Sequence, residues 1–179
     1  DYIYLREELA SLKGKKLQAK RNHVNKFKRT YPDYEYKELT PALVSECLKL
    51  EEEWYKDSPE ENRMALRAER RSMTYALKHI DALGISGGVL HVNGRICAFT
   101  YGGAINYETW DTCVEKADTN IEGAYAMINY EYANHIPEQY VYVNREEDLG
   151  IDGLRKAKLS YKPVILLEKY IAEYNDHKR

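Results

Sequence analysis

The sequence predicts a mixed α/β (α+β) fold, a mostly antiparallel central sheet flanked by helices. Three observations carry this. Apolar residues recur at helical spacing in the first half of the chain, and from residue 85 the period changes to two. A helical stretch then separates two strand-like runs, and strand, helix, strand in that order requires a parallel crossover. With 179 residues, the chain suits a single domain spanning 1–179, or one half of a larger tandem protein.

Residues 2–5 read as a strand. Because the chain starts at Asp1 without a methionine, a piece of a longer protein is expected. Leu17, Val24, Phe27 and Tyr31 fall within a narrow arc, so 15–30 reads as an amphipathic helix ended by Pro32. Lys20 lies inside that arc, with Arg21 and Lys28 at its edge. A cation on a buried side needs an anionic partner, either an internal carboxylate or a ligand phosphate.

Residues 34–39 alternate like a strand. Thr40 is placed to cap a helix with Pro41 at its first position and Leu43, Cys47, Leu50 and Trp54 as its buried stripe. Ser58, Pro59 and Glu61 spell a capping box opening a second helix to about residue 80, with Arg63, Arg67, Arg70 and Arg71 on a solvated face. Asn93-Gly94 then joins strands at 89–92 and 96–101, since both central positions of such a turn favour positive φ. A third strand is expected over 109–117, a helix over 123–135, a strand over 140–143, and a closing strand within 164–174.

Composition bounds the function. No apolar run approaches the roughly 20 residues needed to cross a bilayer, and nothing resembles a signal peptide, so a soluble cytoplasmic protein is expected. Cys47, Cys97 and Cys113 are odd in number, widely spaced and set in apolar sequence, which speaks for core thiols and against a disulfide framework or a metal site. The net charge of -2 hides an asymmetry: 13–29 holds eight Lys or Arg and no acid. That run suits a solvated face or a nucleic-acid backbone.

The chemistry concentrates where the 140–143 strand ends. Asn144, Arg145, Glu146, Glu147 and Asp148 place polar groups at its carboxyl end, where ligands of open α/β sheets bind. Asp152 is placed to cap the next helix, which carries Arg155, Lys156 and Lys158 before Pro163. Acid followed by base along a short helix also arises from dipole matching alone, so a site and a surface helix are both consistent with the pattern.

The order of elements is that of the GNAT-like acyl-CoA N-acyltransferase fold. The run Gly153-Leu154-Arg155-Lys156-Ala157-Lys158-Leu159-Ser160-Tyr161-Lys162-Pro163, with Glu168-Lys169-Tyr170, resembles the signature closing the C-terminal domain of the phosphatidylglycerol lysyltransferase (lysylphosphatidylglycerol synthase) family. More distantly it is similar to a segment of the Fem-type peptidoglycan aminoacyltransferases. Lys20-Arg21-Asn22 is similar to the basic helix opening the second GNAT-like half of such enzymes. The specific residues lie in the last third of the chain, and the match is to soluble bacterial members without the membrane part.

The resemblance implies an aminoacyltransferase, with an N-terminal GNAT-like half in the same protein and an aminoacyl-tRNA donor. Transfer to an amine or hydroxyl acceptor needs positioned reactants, a route for the acceptor's proton, and donors for the developing oxyanion. Glu115, Glu146 and Asp148 are the candidate catalytic acids. Lys20, Arg21, Asn144, Arg145, Arg155, Lys156 and Lys158 are the candidate substrate-binding residues. Each acid is also suited to a plain salt bridge with one of these cations. No cofactor is implied with certainty. Acetyl-CoA is disfavoured because 118–124 offers only Gly123-Ala124 of a Gly-rich pyrophosphate turn, and Glu122 repels an anion there. Two alternatives stand beside this reading, a CoA-dependent N-acetyltransferase and a non-catalytic module that binds RNA or protein.

Overall fold

The structure, a computed structural model, describes residues 1–56 and 63–173. Seven strands form one sheet: β1 (Tyr2–Leu5), β2 (Glu35–Glu38), β3 (Ser86–Val92), β4 (Arg95–Ala104), β5 (Thr109–Ala117), β6 (Tyr142–Asn144) and β7 (Ile165–Leu166). The helices are α1 (Arg6–Ser11), α2 (Gln18–Thr30), α3 (Val44–Lys56), α4 (Arg63–Lys78), α5 (Ile80–Leu83), α6 (Ala124–His135) and α7 (Asp152–Leu159). The sheet order is β2-β3-β4-β5-β6-β1-β7, with every pair antiparallel except β5 and β6. This is the mixed, mostly antiparallel, helix-flanked sheet that the sequence predicts.

Local chemistry explains most boundaries. Asn93 and Gly94 take φ of 53° and 77°, so the β3–β4 hairpin closes through the expected turn. The β5–α6–β6 crossover is parallel, as read. The capping box at Ser58, Pro59 and Glu61 lies outside the described residues. Thr40 is extended but makes no side-chain cap, and Asp152 begins α7 behind Ile151 instead of capping it. The closing strand shrinks to Ile165–Leu166, and the strand expected at 140–143 is shifted to Tyr142–Asn144. Arg70 leaves the expected solvated face, because Glu51 is buried opposite it and takes its Nε at 2.8 Å.

Two cores sandwich the sheet. On one face β1, α1, α2 and α6 enclose Tyr4, Leu17, Phe27, Trp110, Met127 and Tyr132. On the other, α3, α4 and α5 enclose Cys47, Met73, Leu77, Val89 and Phe99. The α6 helix touches α1, α2, β3, β4 and β5, so it is apolar nearly all round, and Asn129 is an exception at 3% exposure.

One irregularity decides what faces which core. The β4–β5 register slips between Tyr101/Val114 and Gly102/Thr112, leaving Cys113 as the extra residue of a β-bulge. A side chain at Gly102 would strike the Asp111 carbonyl at 1.7 Å, so glycine permits the close approach. Beyond the bulge the alternation of β5 inverts. Trp110 and Ala117, an odd number of residues apart, therefore lie in the same core.

Candidate functional site

The site is built where two parallel strands part. β5 and β6 pair over Thr109–Asp111 and Tyr142–Asn144 and no further. Past Asn144 the chain stays with β1, where Arg145 N–H donates to the Tyr2 carbonyl at 3.0 Å and Tyr2 N–H to the Glu146 carbonyl at 3.1 Å. β5 meanwhile continues against β4. The gap is bridged by an ion pair, Arg145 Nη2 to Glu115 Oε1 at 2.9 Å, with each side chain 12% exposed.

Aromatic rings hold this pair from one side. The Arg145 guanidinium lies 4.8 Å from the Tyr161 ring centroid and 5.7 Å from that of Tyr4, and these rings meet edge to face. The Tyr4 hydroxyl donates to the Lys158 carbonyl at 2.8 Å, which ties the end of α7 to β1. Lys20 arrives from α2 and sets its ammonium 4.2 Å from the same Tyr161 ring. Burial first, then the neighbouring Arg145 charge, lower the Lys20 pKa. From α6, Asn129 Nδ2 donates to Glu115 Oε2 at 3.3 Å. Arg145 Nη1 and Asn129 Oδ1 are both buried without a hydrogen-bond partner, so a donor and an acceptor flank one carboxylate unsatisfied.

The opposite face carries a second group. Asp111 accepts the Cys113 thiol at 3.2 Å, and its other oxygen, Oδ1, is buried without a partner. Desolvation raises the Asp111 pKa; desolvation and then the Asp111 charge raise that of Glu146. Burial, then Asp111, push the Cys113 thiol up to about 12, so it stays protonated. Among the described residues no cluster of His, Cys, Asp and Glu is arranged to hold a metal ion.

The structure sorts the sequence-derived candidates into three groups. Lys20, Glu115 and Arg145 converge. Lys158 lies beside them, but its ammonium donates to the backbone carbonyls of Arg145 and Glu147, and burial lowers its pKa to about 8. Asn144 shapes the same turn: its Oδ1 accepts the Glu146 N–H at 2.9 Å, and Glu146 itself sits at φ 55°. Asp148 stands apart from the ion pair, accepting from Arg155 Nε at 2.7 Å, the Tyr2 hydroxyl at 2.5 Å and Gly150 N–H at 2.9 Å. Arg155 first, then Tyr2, hold its carboxyl far below the usual range, so it stays ionised.

The remaining cations point elsewhere. Arg21 Nη1 donates to the Leu12 carbonyl at 2.5 Å and the Gly14 carbonyl at 3.2 Å, closing the turn after α1. Lys156 is exposed on α7 with Arg155. Glu122 is paired with Lys26 at 2.7 Å. Sequence reasoning missed Asn129, Tyr4, Asp111 and Cys113, and assigned no role to Tyr161. A polar residue inside the apolar α6 pattern was the readable signal for Asn129.

Comparisons with known proteins identify the family and the fold. A family model described as phosphatidylglycerol lysyltransferase, C-terminal, matches residues 1–173. A conserved protein of unknown function from Bacteroides thetaiotaomicron is 64% identical and superposes with a TM-score of 0.90, over 93% of this chain and 56% of that one. A lysylphosphatidylglycerol synthetase C-terminal domain from Agrobacterium fabrum is 14% identical with a TM-score of 0.63, over 90% of this chain and 56% of that one. An uncharacterised protein from Mycoplasmoides gallisepticum is 23% identical over 97% of this chain. The chain spans 56% of that relative's length. No helix among the described residues is long and apolar enough to cross a membrane.

Proposed function

This chain belongs to the phosphatidylglycerol lysyltransferase C-terminal family, and from that premise we propose that it transfers an aminoacyl group from aminoacyl-tRNA to an amine or hydroxyl acceptor. The carrying observation is the pair of cations, Arg145 and Lys20, on one tyrosine ring beside Glu115 in the gap between β5 and β6.

In this reading the acceptor's nitrogen or oxygen attacks the ester carbonyl, and the bond from that carbon to the ribose oxygen breaks. The acceptor loses a proton and the ribose oxygen gains one. Arg145 Nη1, buried without a partner, and the Lys20 ammonium, held over the same tyrosine ring, are the donors for the oxygen that becomes negative. Glu146, which follows Arg145 at the turn and whose pKa burial and then Asp111 raise, is the candidate base. Asp148, locked by Arg155, positions the loop. Arg155 and Lys156 on α7 offer charge to tRNA phosphates.

The test is transfer from a panel of charged tRNAs by the full-length protein. Replacing Arg145 with Lys or Lys20 with Ala is expected to lower the rate about 100-fold, the scale of one lost oxyanion donor. Unchanged rates in both variants remove the assignment.

A further inference from the structure

We propose that Asn129 is a specificity-determining residue that reads a free amine on the acyl group through its side-chain oxygen. This deepens the aminoacyl reading of the same site and rests on it.

Asn129 lies on α6. Its other buried residues near the site, Ala124, Met127, Ile128, Tyr132 and Ala133, are what a helix wedged between a sheet and two helices requires. Asn129 breaks that pattern at 3% exposure. Part of its amide has a purpose, since Nδ2 donates to Glu115 Oε2 at 3.3 Å. That bond also sets the orientation of the amide, because turning it over would set Oδ1 against the carboxylate. Oδ1 is then left buried without a donor.

The companion vacancy has the opposite sign. Glu115 Oε1 takes Arg145 Nη2 at 2.9 Å, while Arg145 Nη1 is buried without an acceptor. A free acceptor and a free donor thus hang on the two oxygens of one carboxylate. A ligand that answers both offers N–H near Asn129 and a carbonyl near Arg145. An α-amino acyl group carries those two functions on adjacent carbons. Glu115 adds a negative charge that favours the ammonium form, and Lys20 adds a further donor on the carbonyl side. A simple acyl group such as acetyl leaves the Asn129 oxygen unanswered, and a site of buried polar groups discriminates against a ligand that leaves one unpaired.

The experiment uses the folded protein with a panel of amino-acid amides and their N-acetyl derivatives, followed by NMR of the Asn129 side-chain amide. A shift of that signal with at least one free amide, and at least tenfold weaker binding of its N-acetyl form, is the expected result. Asn129→Leu abolishes the preference while the wild-type comparison stands without it, should the variant fold poorly. Equal binding of both forms, or no movement of the Asn129 signal with any compound, overturns the proposal; a water held between Asn129 and Arg145 then accounts for the two groups. Transfer lost in Arg145→Lys but indifferent to the amine would sink this inference and spare the proposed function. Transfer unchanged in both the Arg145→Lys and Lys20→Ala variants removes the site assignment that both readings rest on.

Discussion

The two faces of the β5–β6 opening treat charge in opposite ways. On the α6 side Glu115 meets Arg145, and each side chain is compensated at 2.9 Å while staying 12% exposed. On the other side burial raises the pKa of both Asp111 and Glu146, and the Asp111 charge adds to the rise at Glu146. The bulge at Cys113 creates this contrast, because strict alternation would place Asp111 and Glu115 on the same face. One strand therefore supplies a satisfied carboxylate to one face and a strained one to the other.

Breaking the compensated pair is expected to have the largest effect. Glu115→Gln strands a buried guanidinium, at a cost of about 3 kcal/mol, the lower end for a broken buried pair. In a domain of this size that is roughly 10 °C in Tm by calorimetry. The double variant Glu115→Leu, Arg145→Met removes both charges and is expected to regain most of that stability. If the double variant melts no higher than the single one, the pair is not the self-contained unit described.

The sequence exposed some of this and concealed the rest for physical reasons. Asn93-Gly94 and the helical arc of Leu17, Val24 and Phe27 are local signals, and both produced the expected elements. Lys20 inside that arc announced a buried cation needing a partner, and the partner is a ring as well as a charge. What stayed hidden depends on long-range geometry. No local residue pattern marked the bulge, so the face of Asp111 was not readable. Lys158 looked like a ligand-facing base in the motif, yet its ammonium serves two carbonyls of the chain 11 and 13 residues earlier.

That internal role makes Lys158 the next lever on the comparison, since its carbonyl partners belong to the turn carrying Arg145 and Glu146. Lys158→Met orphans both and is expected to cost about 2 kcal/mol. The pH dependence has a definite sign. The folded pKa is about 8, below the ordinary lysine value, so between about pH 8 and pH 10 the unfolded chain holds a proton that the folded one lacks. Raising the pH through that window favours the folded state, while below it both states are charged and the burial cost is paid in full. The wild type therefore gains on Lys158→Met as the pH rises from 7.5 to 9.5 in urea titrations. A constant difference would mean that Lys158 does not titrate in that window.

The smallest effect belongs to the uncompensated face, and its sign is opposite. Asp111→Asn removes a desolvated charge and keeps an oxygen for the Cys113 thiol. A folded pKa raised by burial above the unfolded value means that stability is lost as the pH rises through the carboxyl range, because folding then bears the desolvated charge. The variant is expected to be more stable than the wild type at pH 7 by about 0.5 kcal/mol, the low end for relieving the burial of a polar group. Below the unfolded carboxyl pKa both states are protonated, so the advantage shrinks as the pH falls toward 4. Urea midpoints at pH 7 and pH 4.5 measure both. A destabilised variant at pH 7 would show that the Asp111 charge is already answered, and the two faces would then differ in geometry but not in charge.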